Sequence, residues 1–171
     1  MTLPFDPAAA RQDVLARIAQ AAKEAGREPG DVTLVAVSKQ QPWERVAPIL
    51  DAGQTVFGEN RVQEAQAKWP ALREAHPAIA LHLVGQLQSN KAEDAVRLFD
   101  CIHSLDRPSL VSALAKAMDK VGRRLPCFVQ VNIGEEEQKG GCAIADLPAL
   151  LAGARAADLP LAGLMCVPPA G

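Results

Sequence analysis

Apolar and polar positions along the chain alternate between two rhythms. Thr33-Leu34-Val35-Ala36-Val37-Ser38-Lys39 is a short apolar run, rich in β-branched residues, that ends abruptly at a lysine, as a buried strand does. Ahead of it, Val14, Leu15, Ile18, Ala21 and Ala22 recur at helical spacing while Arg11, Arg17, Lys23 and Glu24 fall elsewhere, which predicts an amphipathic helix over about 7–27. Glu28-Pro29-Gly30-Asp31 supplies the turn between them. The rhythm then repeats. A helix over 42–51, which Pro48 is expected to kink or end, leads to a strand at 54–57. A helix over 62–75, with Pro70 as a potential break, leads to a strand at 79–84, and a helix over 91–98 leads to a strand at 100–103. After a loop at 104–107 come a helix over 108–121, a strand at 127–132, a charged loop bounded by glycines at 134–141, a helix over 146–157 and a sixth strand over 159–167.

Six strands alternating with helices across short turns require parallel strands and right-handed crossovers, hence an open doubly wound sheet or a (β/α) barrel. No glycine-rich phosphate-binding signature follows any strand, which counts against the usual open nucleotide-binding sheet. Polar residues gather after the carboxyl end of each strand instead: Lys39; Glu59 and Asn60; Gln88, Ser89 and Asn90; Ser104 and Asp106; Asn132 through Lys139. Such one-sided enrichment predicts a parallel TIM-type α/β barrel with its site at the carboxyl mouth, a flavodoxin-like open sheet being the alternative. The expectation is one domain over 1–171. A full barrel has eight strands in about 250 residues, so the barrel is expected to be incomplete, with six of eight strands, and the chain to be truncated after Gly171.

Composition narrows the function classes. With 49% hydrophobic and 22% charged residues, the chain reads as a globular domain rather than a disordered one. A net charge of -2 removes the electrostatic case for nucleic acid, and 4% aromatics with no Tyr leaves little capacity to stack bases. Asp6, Arg11, Asp13 and Arg17 interrupt the start of the chain, so neither a signal peptide nor a membrane span is expected there. Cys101, Cys127, Cys142 and Cys166 form no CxxC pair and show no metal-ligand spacing; three lie in apolar runs. They predict buried thiols in a reducing cytoplasm and no metal site.

The candidate chemistry centres on Lys39. In apolar surroundings the charged form of a lysine is disfavoured, and the neutral amine that results condenses with aldehydes and ketones; against this stands the solvated lysine that commonly ends a strand. Asn60 is placed to contact a ligand or to cap the following helix. His82 alternates with apolar neighbours and fits a packed core histidine. Ser89 and Asn90 either line the mouth or, more simply, cap the helix at Lys91, and Met165 suits packing against a ligand face or the core. Lys139 is a second amine on the same face, and Glu135-Glu136-Glu137 is most simply a solvated loop.

Four segments carry a resemblance: Leu34 to Lys39; Phe57-Gly58-Glu59-Asn60-Arg61-Val62-Gln63-Glu64; His82 to Lys91; and Gln130 to Gly134 with Lys139-Gly140-Gly141. Together they resemble the pyridoxal phosphate homeostasis protein family, which shares the alanine racemase type of barrel. The resemblance implies that Lys39 holds pyridoxal 5'-phosphate as a Schiff base, with Asn60 near the ring edge, His82 beneath the ring, and Ser89, Asn90 and Met165 as further neighbours. It implies a carrier that supplies the cofactor to apo-enzymes without turnover of its own. The family pattern continues beyond Gly171 with two strands whose loops hold the phosphate, so the resemblance also implies weak binding by this chain. Two alternatives stay open: a racemase- or decarboxylase-like enzyme, which would bring a further β domain, and a truncated chain unable to hold the cofactor tightly. A Schiff-base aldolase would need an acid/base partner, for which Glu59 and Asp106 are the carboxylates at the mouth.

Overall fold

A computed structural model describes residues 6–134, 136 and 140–169. Glu135, Glu137 and Lys139, named above, lie outside the described residues. Six helices and six strands alternate: α1 Pro7–Glu24, β1 Ala36–Val37, α2 Trp43–Asp51, β2 Val56–Glu59, α3 Val62–Ala75, β3 Ala80–Leu83, α4 Ala92–Leu98, β4 Cys101–Leu105, α5 Pro108–Val121, β5 Cys127–Gln130, α6 Leu147–Ala156 and β6 Leu161–Met165. All strand pairs are parallel, and the sheet order is β1-β2-β3-β4-β5-β6. No strand is inserted out of sequence, as the switch point of a doubly wound sheet would demand, so the sheet is an arc of a barrel. No helix among the described residues is long and apolar enough to cross a membrane.

Strand alternation sorts the side chains. Leu81, Leu83, Ile102 and Val129 point outward and are fully buried beneath the helices, where Ala65, Trp69, Ala95, Val96, Leu110, Leu114 and Met118 meet them. The helices that cover the sheet are set by this burial more than by local signals. Neither Pro48 nor Pro70 ends its helix, although each removes a backbone donor. Val46 in α2 and Trp69 in α3 are buried, and that apolar contact outweighs one lost hydrogen bond in each helix.

Several boundaries differ from the sequence pattern: α1 ends at Glu24, β5 at Gln130 and β6 spans only Leu161–Met165, and β1 and β4 differ as well. Only Ala36 and Val37 of the 33–39 run belong to β1; the ladder continues for one bond, from the Ser38 amide to the Gly58 carbonyl at 2.9 Å. In β4 the reverse holds. Ser104 and Leu105, expected in a loop, extend the strand across a register shift against β5 and are buried.

At the amino ends of the strands, Asp100 closes the opposite side of the sheet from the mouth. Its carboxylate accepts two hydrogen bonds from Arg73 of α3 at 3.0 and 2.8 Å, one from Arg123 beyond α5 at 2.8 Å, and one from the Leu81 amide at 2.8 Å. Arg73 and Arg123 also donate to the carbonyls that end α4, at Leu98 and Phe99. Asp100→Ala leaves two guanidinium groups and an amide short of their shared acceptor. We expect it to lower stability by about 2–3 kcal/mol, read as a reduced urea midpoint with an unchanged slope.

Candidate functional site

The mouth at the carboxyl ends of the strands is built by register. The ladders align Val37 with Gly58, Gly58 with His82, and His82 with Cys101, so one row of side chains crosses the inner face of β1 to β4. A Cβ on Gly58 would meet Val35, Val37 and Val84 at 3.1–3.4 Å, so these apolar side chains crowd over this glycine. One step further towards the mouth, His103 lies against His82, with Nδ1 of His82 2.8 Å from Nε2 of His103, one ring donating to the other. His103 also stacks on Phe128 of β5, centroid to centroid 4.8 Å, and Gly163 of β6 leaves space beside that ring.

Burial disfavours the charged form of both imidazoles. His82 lies below its ordinary pKa despite the nearby Asp100 carboxylate, and burial together with His82 pushes His103 down to about 4. Two buried thiols move the other way: burial raises Cys101, beside the imidazoles, to about 11, with Asp100 adding to the shift, and raises Cys127, in the layer under the helices, to about 12. Three of the four cysteines are buried, as expected, while Cys166 is exposed.

Lys39 follows β1 at the mouth and is exposed, as the solvated alternative for a strand-ending lysine has it. Its amine makes no hydrogen bond or ion pair among the described residues, yet both of its neighbours are held. The Ser38 hydroxyl donates to Glu59 at 2.9 Å, the Lys68 ammonium donates to the Ser38 carbonyl at 2.6 Å, and the Gln40 amide donates to the Glu64 carboxylate. Gln40 takes a positive φ of 59°, a conformation that such a clamp stabilises. Glu59 is the hub. Expected as a carboxylate of the mouth, it turns outward beneath α3, fully buried, where the same oxygen that binds Ser38 also accepts from Lys68 at 3.0 Å and from the Trp69 indole at 2.8 Å. Asp106 is likewise occupied, bound to Arg107 at 2.8 Å and to the Gly141 amide at 3.1 Å.

Of the remaining candidates, Asn60 follows β2 half-buried at the mouth. It does not cap α3, whose capping position is Arg61 and carries no side-chain cap bond. Gly85 packs so closely that a Cβ there would lie 2.3 Å from the Asn60 carbonyl oxygen, which fixes the loops after β2 and β3 to each other. Met165 ends β6, half-buried, in register with Gln130. Ser89 and Asn90 form a 3-10 turn without side-chain capping bonds, so the capping role does not hold for them, and they line a groove of about 280 Å³ between α4 and α5 with Lys116 and Lys120. A polar cavity of about 370 Å³ does open beside Asn60, lined by Arg61, Gln63, Gln86, Gln88 and Lys91.

The sequence pattern missed His103, Cys101 and the Glu59–Lys68–Trp69 cluster. Alternation within β4 puts Cys101 and His103 on one face, but their approach to His82 depends on a cross-strand register that the chain does not display.

The model of the alanine racemase N-terminal domain family matches residues 11–170. The pyridoxal phosphate homeostasis protein of Pseudomonas aeruginosa is 40% identical over 156 residues, covering 91% of this chain and 67% of that protein. The solved structure of PipY from Synechococcus elongatus with PLP bound is 39% identical, covers 90% of this chain and 72% of that one, and superposes with a TM-score of 0.76. A structure of an unknown protein from Bifidobacterium adolescentis, 32% identical, covers 95% of this chain and 69% of that one with a TM-score of 0.88. The chain spans about two thirds of the length of the curated relatives it matches.

The paired histidines give a pH signature. Unfolded, each imidazole takes up a proton near its ordinary pKa of 6.5, whereas folded His103 does so only near 4, so the unfolded chain binds more protons between these values. The His103 contribution to stability is therefore complete above about pH 6.5 and declines as pH falls towards 4, by at most about 3 kcal/mol. Urea unfolding at pH 7 and pH 4.5 should show a smaller loss for His103→Gln than for the parent chain.

Proposed function

The chain belongs to the pyridoxal phosphate homeostasis protein family, within the alanine racemase N-terminal domain fold, and from that premise we propose that it binds pyridoxal 5'-phosphate through Lys39 and holds it for delivery to apo-enzymes without turning over a substrate. The observation that carries this reading is a free amine on a fixed backbone: Lys39 has no partner among the described residues while Ser38 and Gln40 are clamped on either side.

The residues at the mouth fit the cofactor. Lys39 would hold it by condensation of its amine with the aldehyde, a reversible bond that keeps a reactive carbonyl out of solution. Asn60, with no side-chain hydrogen bond of its own among the described residues, has a free amide to offer the edge of the ring. His82 and His103, disfavoured as cations, would form an uncharged floor, and Met165 would add a soft contact from β6. Glu59 and Lys68 act at one remove: they fix Ser38, and so the point from which the Lys39 side chain departs. The acid/base groups an enzyme would need at this mouth are committed elsewhere, since Glu59 is turned beneath α3 and Asp106 is engaged by Arg107 and Gly141. The buried thiols suit the reducing cytoplasm in which such a carrier would work.

Borohydride reduction after addition of pyridoxal phosphate should fix one cofactor per chain on the peptide that contains Lys39, and Lys39→Ala should lower the labelling at least tenfold. Label on another peptide, or robust racemisation or decarboxylation of amino acids by the purified protein, would overturn the proposal.

A further inference from the structure

Three side chains on adjacent strands converge, and the cofactor reading gives two of them, His82 and His103, only a packing role and Cys101 none. Cys101 is the ladder partner of His82, and His103 stands two residues beyond Cys101 on the same face of β4. One ligand atom from each of the three lies within 4.8 Å of both others. We propose that His82, Cys101 and His103 form a binding site for a thiophilic divalent ion of the zinc class on the inner face of the sheet.

The donor set favours that class. Two imidazole nitrogens and a thiolate match the ligand preferences of zinc, and three protein ligands leave a fourth position for water, as in open zinc sites. The ligands come from paired strands, so the sheet holds their backbones and little chain entropy is lost on binding. The two ring nitrogens that now share a hydrogen bond at 2.8 Å need to part only slightly, since nitrogens about 2.0–2.1 Å from one tetrahedral ion stand roughly 3.3 Å apart. Phe128 packs against one side of the His103 ring, centroid to centroid 4.8 Å, and helps hold its orientation. No carboxylate belongs to the cluster, which counts against calcium or magnesium. The proton balance is simple. Each neutral imidazole keeps its one proton on the nitrogen that faces away from the ion, and the Cys101 thiol releases its proton to solvent as the metal–sulfur bond forms.

Cobalt(II) alone, added to the full chain without pyridoxal phosphate, tests the site through its thiolate charge-transfer absorption. We expect a band that saturates at one ion per chain and is displaced by zinc. Cys101→Ser should abolish it, and His103→Gln should weaken binding at least tenfold. Cys166→Ser, which removes the exposed thiol, should leave it intact. Circular dichroism checks the fold of each variant. Should Cys101→Ser unfold, equilibrium dialysis of zinc against the parent chain and folded His82→Gln replaces it, with binding at least tenfold weaker expected in the variant. No saturable band, a band that survives in folded Cys101→Ser, one lost with Cys166, or zinc binding unchanged in His82→Gln would overturn the proposal. The outcome is independent of Lys39, so it is distinguishable from failure of the cofactor reading.

Discussion

Parallel register is the constraint on which the rest of this molecule depends. Once Val37, Gly58, His82 and Cys101 are aligned across four strands, every other residue on those strands is assigned to one face or the other, because the side-chain period is two. A slip of one residue in β3 would send Leu81 and Leu83 to the inner face and His82 into the apolar layer under the helices. The fully buried leucines therefore hold the histidine in place, although they never touch it across the sheet. The core specifies the site by excluding the alternatives.

Glu59 shows how a buried charge is used within that frame. Taking a carboxylate out of water is costly, and here one of its oxygens is met by three donors, from Ser38, Lys68 and Trp69, while the other has no partner among the described residues. A well-packed apolar residue would be at least as stable in that position, so the pair is better explained by what it aligns. It ties the end of β1 to the end of β2 and to α3, and the tie ends one residue short of Lys39.

The alternation of strands and helices, the sequential sheet order and the residues that follow each strand were legible from hydrophobic periodicity and turn residues. Helix ends at Pro48 and Pro70 were not, because burial of Val46 and Trp69 overrides a local signal. The places of Lys39 and Asn60 after β1 and β2 were legible because a polar residue at the tip of an apolar run stands out. Glu59 looked like another of these, yet one step of alternation turns it to the opposite face. Ser89 and Asn90 sit in a 3-10 turn that rotates them towards α5, a local twist with no sequence mark. The His82–Cys101–His103 cluster is the clearest case: its members are 19 and 2 residues apart in sequence, a spacing that matches no metal motif, and only the ladder between β3 and β4 converts that spacing into proximity.

The clasp of Asp100 by Arg73 and Arg123 lies at the amino ends of the strands, away from Lys39 and Asn60. It anchors α3 and the end of α5 to the start of β4 through contacts that the mouth does not share. Substitutions at the mouth can thus accumulate without loosening these anchors, and the two ends of the sheet can drift under separate selective pressures. A lineage could change what the mouth holds long before it had to change how the sheet is kept together, which gives this arrangement a capacity for new binding specificities that no single contact reveals.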